Sequence, residues 1–202
     1  CHHAGTCTRY TLAPGCGNCP LLHGKGGGHD LSRRTWNRKK ALYDTAGIHF
    51  VAVSTWLAGK CAESPLMAGC RVSVIPNAFP VDEFYMAPRR TRAEMGLPDG
   101  KKLIVMGAAR LDDPVKGLPL AVDALNRLAD AGRTDAHAVF FGAIRDPHAL
   151  AGLRLPYTAL GPVADKDFLH ELYAQSTAVL SSSLYETLSG TLIEGQAAAC
   201  RL

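Results

Sequence analysis

The sequence contains no run of about eighteen apolar residues, which is the length that a helix needs to cross a bilayer. Aromatic residues make up only 7% of the chain and do not alternate with its basic residues, so stacking platforms for single-stranded nucleic acid are not expected. The odd total of seven cysteines argues against the paired disulfides of a small secreted protein. What is present is a chain of 202 residues with 47% apolar residues, enough for one good core or two modest ones.

Four of the cysteines lie within the first twenty residues. They are Cys1, Cys7, Cys16 and Cys19, and the last two form a Cys-x-x-Cys turn. Four thiolates in a short loop can hold a structural zinc ion in a tetrahedral site, in which His2 or His3 could replace one sulfur. The spacing is irregular, so reduced cysteines packed in a loop are the alternative. Cys61, Cys70 and Cys200 are predicted to be small buried residues.

The positive charge is concentrated in the first half of the chain. Residues 1–100 carry 12 basic and 7 acidic side chains, whereas residues 101–202 carry 10 and 11. Part of the excess lies in the helical segment 33–40. One interpretation is that this segment is attracted to an anionic membrane surface or to nucleic acid. The interpretation that we favour is a solvated helix face, with Leu31, Trp36 and Tyr43 packed inward.

A segment rich in proline, glycine and arginine, residues 77–100, follows the apolar strand at 71–75 and separates two halves of the chain. Beyond it, apolar strands and amphipathic helices alternate. The predicted elements are strand 103–107, helix 118–131, strand 138–142, strand 157–160, helix 166–175 capped by Asp165, and strand 178–180. Such alternation predicts an α/β fold with a parallel sheet that binds its ligand beyond the carboxyl ends of the strands.

Two glutamates separated by seven residues, Glu186 and Glu194, flank the start of one further helix. Ser189 is its expected N-cap, which leaves the amides of Gly190 and the next two residues free to bind an anion. Carboxylates on either side suit a ligand with a charged diphosphate in the middle and neutral hydroxyls at each end, as in a nucleotide-sugar. The alternative is a capped surface helix with two solvated glutamates.

A second pattern comes after the strand at 103–107, which ends at Gly107. Arg110 follows that strand, and Lys116 precedes Gly117 a few residues later. Two cations at the carboxyl end of a strand can stabilise a departing nucleoside diphosphate.

These two motifs, in this order across one α/β domain, resemble the C-terminal half of retaining glycosyltransferases of the GT-B fold, family 4, the glycosyl transferases group 1. The cysteine-rich start is similar to an insertion found in a bacterial subset of that family. The resemblance implies an α/β GT-B architecture of Rossmann-like parallel sheets with helices on both faces, in two domains that are both incomplete. Residues 1–80 would be the end of the N-terminal, acceptor-side domain with a cysteine-rich loop at 1–30, residues 81–100 a linker, and residues 101–202 the donor-binding domain.

The resemblance also implies roles for the motif residues. In the family, the residue that matches Glu186 contacts the donor sugar and the one that matches Glu194 binds the ribose, while Arg110 and Lys116 neutralise the leaving diphosphate without a metal ion. The expected catalytic residues are therefore Glu186, Lys116 and Arg110. The expected donor-binding residues are Gly107, Arg110, Lys116, Glu186, Leu188, Ser189, Gly190, Thr191 and Glu194.

Two positions depart from the family pattern. Gly195 stands where an alanine is usual, and the loop between Arg110 and Lys116 is one residue longer, with Asp112 and Asp113 inside it. The aspartates would weaken diphosphate binding if they pointed into the site.

From the resemblance we expect transfer of a sugar, with retention, from a UDP- or GDP-sugar to a saccharide or lipid-linked acceptor. Peripheral membrane association and a cytoplasmic location at the inner face of the membrane are expected, and nucleic acid is not an expected partner. Because the chain begins at Cys1 without methionine and ends within a helix, we expect an internal piece that is inactive alone. The alternatives are a GT-B-like nucleotide-sugar epimerase, a non-catalytic nucleotide-binding module, and a zinc-organised interaction module in the first 30 residues.

Overall fold

The computed structural model describes residues 7, 9–12, 16–17, 19, 30–85 and 88–198. The predictions for Cys1, His2, His3 and Cys200 therefore lie outside the described residues. The contacts divide the chain into two compact units, Cys1–Asn77 and Ala78–Leu202. The assignment of acceptor-side and donor-binding domains and of the linker stays a prediction. In the described part of the chain, no helix combines the length and the apolar composition that a bilayer crossing requires.

The first unit contains two helices and a two-stranded parallel sheet. Its elements are α1 (Ser32–Thr45), β1 (His49–Ala52), α2 (Thr55–Glu63), a 3-10 turn (Pro65–Met67) and β2 (Arg71–Val74). The strands pair in parallel, with His49 opposite Arg71. Ser54 begins α2, because its side chain accepts a hydrogen bond of 3.2 Å from the amide of Leu57.

The inward packing predicted for α1 is wrong at Leu31, whose side chain is 58% exposed. Trp36 and Tyr43 are half-buried, and the ring of Tyr43 meets Phe50 edge-on at 4.9 Å. Cys61 and Cys70 are likewise half-buried rather than buried. The physical reason is the small core: among the described apolar residues of this unit, only Ala52 is buried.

The second unit is a four-stranded parallel sheet with helices. Its regular elements are β3 (Lys102–Arg110), α3 (Leu118–Asp130), β4 (Ala136–Ala143), β5 (Tyr157–Ala159), α4 (Lys166–Ala174), β6 (Ala178–Val179) and α5 (Gly190–Ala197). Short 3-10 turns lie at Val81–Tyr85 and Pro114–Lys116. The strand order is β5-β4-β3-β6 and every pair is parallel. The predicted α/β class with parallel sheets is therefore confirmed.

The core of this unit lies on both faces of the sheet, because successive side chains of β3 and β4 alternate between them. On one face, Leu103 and Val105 of β3 pack with Leu172 of α4 and with α5. On the other face, Met106 of β3 packs with α3. Helices therefore cover both faces, as the sequence predicted.

The boundaries of β3 and β6 differ most from the prediction. Strand β3 runs three residues beyond Gly107, because a register shift there lets Arg110 pair again with Ala143. Strand β6 has only two residues. The cap predicted for α4 is present, since Asp165 accepts a hydrogen bond of 3.2 Å from the amide of Phe168.

Candidate functional site

A cleft opens at the carboxyl ends of β3 and β6, beside the first turn of α5. Its walls are formed by Met106, Gly107, Ala108, Ala109, Lys116, Leu180, Ser181, Ser183, Glu186, Ser189, Gly190, Thr191 and Glu194. Seven of the nine residues predicted to bind the donor are among them. Arg110 and Leu188 do not line this cleft. The sequence did not single out Ser181 and Ser183, which also line the cleft.

The loop that carries Lys116 is bonded to the loop that follows β6. The amide of Leu184 donates to the carbonyl of Val115 at 2.8 Å, and the hydroxyl of Ser182 donates to the carbonyl of Lys116 at 2.9 Å. Gly117 has a positive φ of 63°, and a Cβ there would lie 2.1 Å from the carbonyl oxygen of Ser182. Because only glycine permits this approach, the sequence Lys116-Gly117 fixes where the lysine enters the cleft.

Lys116 and Glu186 meet inside the cleft. The ammonium Nζ lies 2.5 Å from Oε1 of Glu186, and the hydroxyl of Ser183 donates to the same oxygen at 2.8 Å. Both charged side chains are about one-third exposed, at 30% and 31%. Among the described residues, nothing donates a hydrogen bond to the second oxygen of Glu186. That oxygen is available to accept a hydroxyl group from a ligand.

The first turn of α5 presents unbonded amides to the cleft. Ser189 occupies the N-cap position, as predicted, but its side chain makes no capping hydrogen bond. Its hydroxyl instead lies 3.2 Å from that of Thr191. Within the described residues, the amides of Gly190, Thr191 and Leu192 donate no hydrogen bond. Together with the helix dipole they favour an anion at this point.

Glu194 lies one turn further along α5, on the same side of the cleft. Its Oε2 accepts a hydrogen bond of 3.1 Å from the hydroxyl of Tyr173, a fully buried residue of α4. The sequence did not single out Tyr173 as part of the site. Nothing in the helical spacing of α4 indicates that one core residue carries a hydroxyl directed at the cleft.

Arg110 is held by the two aspartates of its own loop. Its Nη2 lies 3.0 Å from Oδ2 of Asp113, and its Nε lies 3.5 Å from Oδ1 of Asp112. Asp113 also accepts the amide of Val115 at 3.1 Å, which begins the 3-10 turn before Lys116. The extended loop therefore brings its own anions to Arg110, and in this arrangement the guanidinium does not face the cleft.

Asp112 also organises the loop that follows β4. Its Oδ2 accepts the amides of Arg145 at 2.9 Å and of Asp146 at 3.0 Å. Burial alone would raise the pKa of Asp112, but these two amides and the guanidinium of Arg110 outweigh it and lower the pKa. Asp112 therefore remains a carboxylate and keeps the loops after β3 and β4 together.

The described cysteines near the start of the chain lie close to Asp30. Cys7, Cys16 and Cys19 are unpaired and half-buried. Burial first, and then the neighbouring Cys7, Cys19 and Asp30, raise the pKa of Cys16. Asp30 accepts the amide of Cys19 at 2.7 Å and so is engaged as a loop-forming side chain. In the described residues no group of three ligands is arranged to hold a metal ion, and the zinc site involving Cys1 stays a prediction.

The cleft therefore combines one ammonium group and three free amides, which favour an anion, with two carboxylates, which accept hydroxyl groups. A ligand that fits this combination carries both an anionic group and hydroxyl groups.

Solved structures with similar folds were found, at sequence identities that establish the fold alone. Sucrose-phosphate synthase from Thermosynechococcus elongatus superposes with a TM-score of 0.66 at 19% identity, over 90% of this chain and 45% of that chain. HepE from Anabaena, solved in complex with UDP, superposes with a TM-score of 0.63 at 18% identity, over 82% of this chain and 48% of that chain. TarM from S. aureus, solved with fondaparinux, α-GlcNAc-glycerol and UDP, superposes with a TM-score of 0.60 at 12% identity, over 81% of this chain and 31% of that chain.

The chain thus spans about one-third to one-half of the length of these proteins. Its parallel α/β architecture matches the GT-B fold that the sequence predicted. Among curated proteins, no sequence matches this chain significantly. The family model described as glycosyl transferases group 1 matches residues 100–201, which is half of the chain. The chain belongs to the glycosyl transferases group 1 family.

Proposed function

We propose that the cleft binds the nucleotide-sugar donor of a retaining glycosyltransferase of family 4, which transfers a hexosyl group from a UDP- or GDP-sugar to a saccharide or lipid-linked acceptor. The observation that carries this proposal is the combination of charges in the cleft. Lys116 and the free amides of α5 form a positive centre, and Glu186 and Glu194 line the same cleft.

The positive centre suits the diphosphate. Phosphate oxygens accept hydrogen bonds from backbone amides at a helix start, and the ammonium of Lys116 adds a full charge beside them. As the bond between sugar and diphosphate breaks, negative charge grows on the leaving phosphate. Donors that are already in place then stabilise the transition state more than the ground state, which accelerates the reaction. Arg110 joins this group only if it leaves the two aspartates that hold it.

The carboxylates suit the two ends of the donor. Glu186 is fixed by Lys116 and Ser183 through one oxygen, so its second oxygen can accept a hydroxyl of the transferred sugar. Glu194 lies one helical turn from the amides, where the ribose hydroxyls of a nucleotide would follow its diphosphate. We assign Glu186 to the sugar and Glu194 to the ribose on this basis.

The acceptor and the location are proposed from the exposed surface of α1. Arg33, Arg34 and Arg38 are exposed there, and arginines near a membrane are attracted to its anionic lipids. A lipid-linked acceptor at the cytoplasmic face of a membrane would bring the substrate to this surface.

Binding and turnover test the proposal separately. Isothermal titration calorimetry of this chain with UDP, GDP and ADP should show binding of one of them, and Lys116→Ala should weaken it. Turnover should be measured in a longer protein that contains this chain, with the matching nucleotide-sugar and a panel of saccharide and lipid-linked acceptors. Interconversion of the donor sugar without an acceptor would indicate an epimerase instead, and binding without turnover would indicate a non-catalytic module. Absence of binding to all three nucleotides would remove the proposal.

A further inference from the structure

The hydroxyl of Tyr173 reaches Glu194 from the core side. Tyr173 is fully buried, and its Oη donates to Oε2 of Glu194 at 3.1 Å. The ring is enclosed by two others: Phe141 meets it at 6.1 Å and 84°, and Phe84 lies at 6.3 Å. A phenol ring packed in this way has little freedom to turn, so the direction of its hydroxyl is fixed.

The hydrogen bond from Tyr173 makes the two oxygens of the Glu194 carboxylate unequal. Oε2 is taken by the phenol, whereas no described residue donates to Oε1, and the glutamate lines the cleft. A glutamate on a helix surface otherwise samples several rotamers, and ordering it on ligand binding opposes affinity. Here the charged hydrogen bond to a buried donor selects one rotamer without any contribution from a ligand.

We infer that Tyr173 is a positioning residue that holds Glu194 ready to accept the hydroxyl groups of the ribose, so that ribose recognition depends on the core of the protein. This inference rests on the proposed function, since it assigns the ribose to Glu194. It goes beyond that function by placing the determinant of ribose affinity on α4, outside the cleft.

The test compares two ligands in four proteins. The ligands are the nucleoside diphosphate that binds, among UDP, GDP and ADP, and its 2′,3′-dideoxy analogue, and both are titrated by calorimetry. The proteins are the unchanged chain, Tyr173→Phe, Glu194→Gln and Tyr157→Phe. The last is the matched control, because Tyr157 is 43% exposed and does not line the cleft.

In the unchanged chain we expect the ribose form to bind about tenfold or more tighter than the dideoxy form, because hydroxyls bonded to a carboxylate contribute strongly. Tyr173→Phe should reduce this ratio about two- to tenfold, which is the effect of releasing one rotamer-rich side chain. It should leave the affinity for the dideoxy form unchanged, whereas a merely structural role would weaken both ligands equally. Tyr157→Phe should leave the ratio intact.

A further variant gives an independent result if Tyr173→Phe folds poorly. Glu194→Asp keeps the charge but shortens the side chain by one methylene, so that it cannot contact both the phenol and the ribose. In Glu194→Asp, the ratio of the affinities for the ribose and dideoxy forms should fall as far as it does in Glu194→Gln. A preserved ratio would overturn the inference. If Glu194→Gln removes ribose discrimination while Tyr173→Phe does not, the inference is wrong and the proposed function stands. If the unchanged chain binds none of the three nucleoside diphosphates, the inference and the proposed function are both wrong.

Discussion

Lys116 and Glu186, seventy residues apart in the chain, form an ion pair of 2.5 Å between Nζ and Oε1 in the cleft. Each belongs to a different sequence motif, and the hydrogen bonds between the loops after β3 and β6 bring the motifs together. Because both side chains are about one-third exposed, this pair contributes little to stability, on the order of 0–1 kcal/mol. Its importance lies in holding two charges in position for a ligand.

The first prediction concerns Lys116→Ala. We expect a loss of about a hundredfold in transfer rate, roughly 3 kcal/mol, because one charge-assisted donor to the leaving diphosphate is removed. The melting temperature should stay nearly constant, since the ion pair is exposed. The control is Lys102→Ala, which removes an exposed pair of 2.9 Å with Asp135 outside the cleft. A lower melting temperature with unchanged activity per folded molecule would make Lys116 a structural residue.

The second prediction separates Glu186 from Glu194. Glu186→Gln keeps the shape and the contact with Ser183 but loses the charge that pairs with Lys116. We expect turnover to fall while nucleoside diphosphate affinity holds or rises slightly, because the ammonium becomes free to bind the phosphate. Calorimetry with the nucleotide and steady-state kinetics with the donor measure the two effects. Equal losses in turnover and in nucleotide affinity would show that Glu186 does not act on the sugar.

The third prediction uses the pairing of Arg110. Asp113→Asn retains an oxygen for the amide of Val115 but removes one of the anions that hold the guanidinium. If Arg110 belongs to the diphosphate site, its release should tighten nucleotide binding about two- to fivefold, the scale of an exposed ion pair. The control for net charge is Asp130→Asn, which removes an exposed pair of 2.7 Å with Arg154. If Asp113→Asn leaves the nucleotide affinity unchanged or weakens it, Arg110 does not belong to the diphosphate site.

Much of the second unit was predictable because its signals are local. Apolar runs, the cap Asp165 and the glycine after Lys116 each determine a few neighbouring residues, and parallel strands then place their carboxyl ends together. The pairing of Arg110 with its own aspartates was not predictable, because the direction of a long side chain depends on a register shift in β3. Leu31 was misplaced because amphipathic spacing indicates a face of a helix but not whether a core lies opposite it.

The fourth prediction explains Gly195, where the family usually has alanine. Gly195 is buried in α5, and a Cβ there would lie 2.3 Å from Cγ2 of Val179. Gly195→Ala should therefore destabilise the protein: overpacking costs about 1–3 kcal/mol, against about 1 kcal/mol gained in helix propensity. Adding Val179→Ala should recover part of the loss in a double-mutant cycle measured by urea unfolding.

The control for that cycle is Gly59→Ala in α2, where no described atom other than the chain neighbours and the helix backbone lies within 4 Å of the added Cβ. It should stabilise the protein by about 0.4–1 kcal/mol. If Gly195→Ala were equally stabilising, α5 would have room to move away from β6, and the position of Glu194 would be adjustable.

The fifth prediction concerns the pH dependence of stability. Burial, and then the nearby Lys101, lower the pKa of His137 on β4, whose Nε2 lies 2.9 Å from the hydroxyl of Thr158. In the unfolded chain this histidine titrates near its ordinary pKa of about 6.5. Between the folded and unfolded pKa values the unfolded state binds more protons, so the free energy of unfolding should fall as the pH drops below about 6.5. His137→Gln, which cannot titrate, should flatten that part of the profile in urea titrations from about pH 7.5 to 5. A slope that is unchanged in His137→Gln would assign the acid sensitivity to other groups.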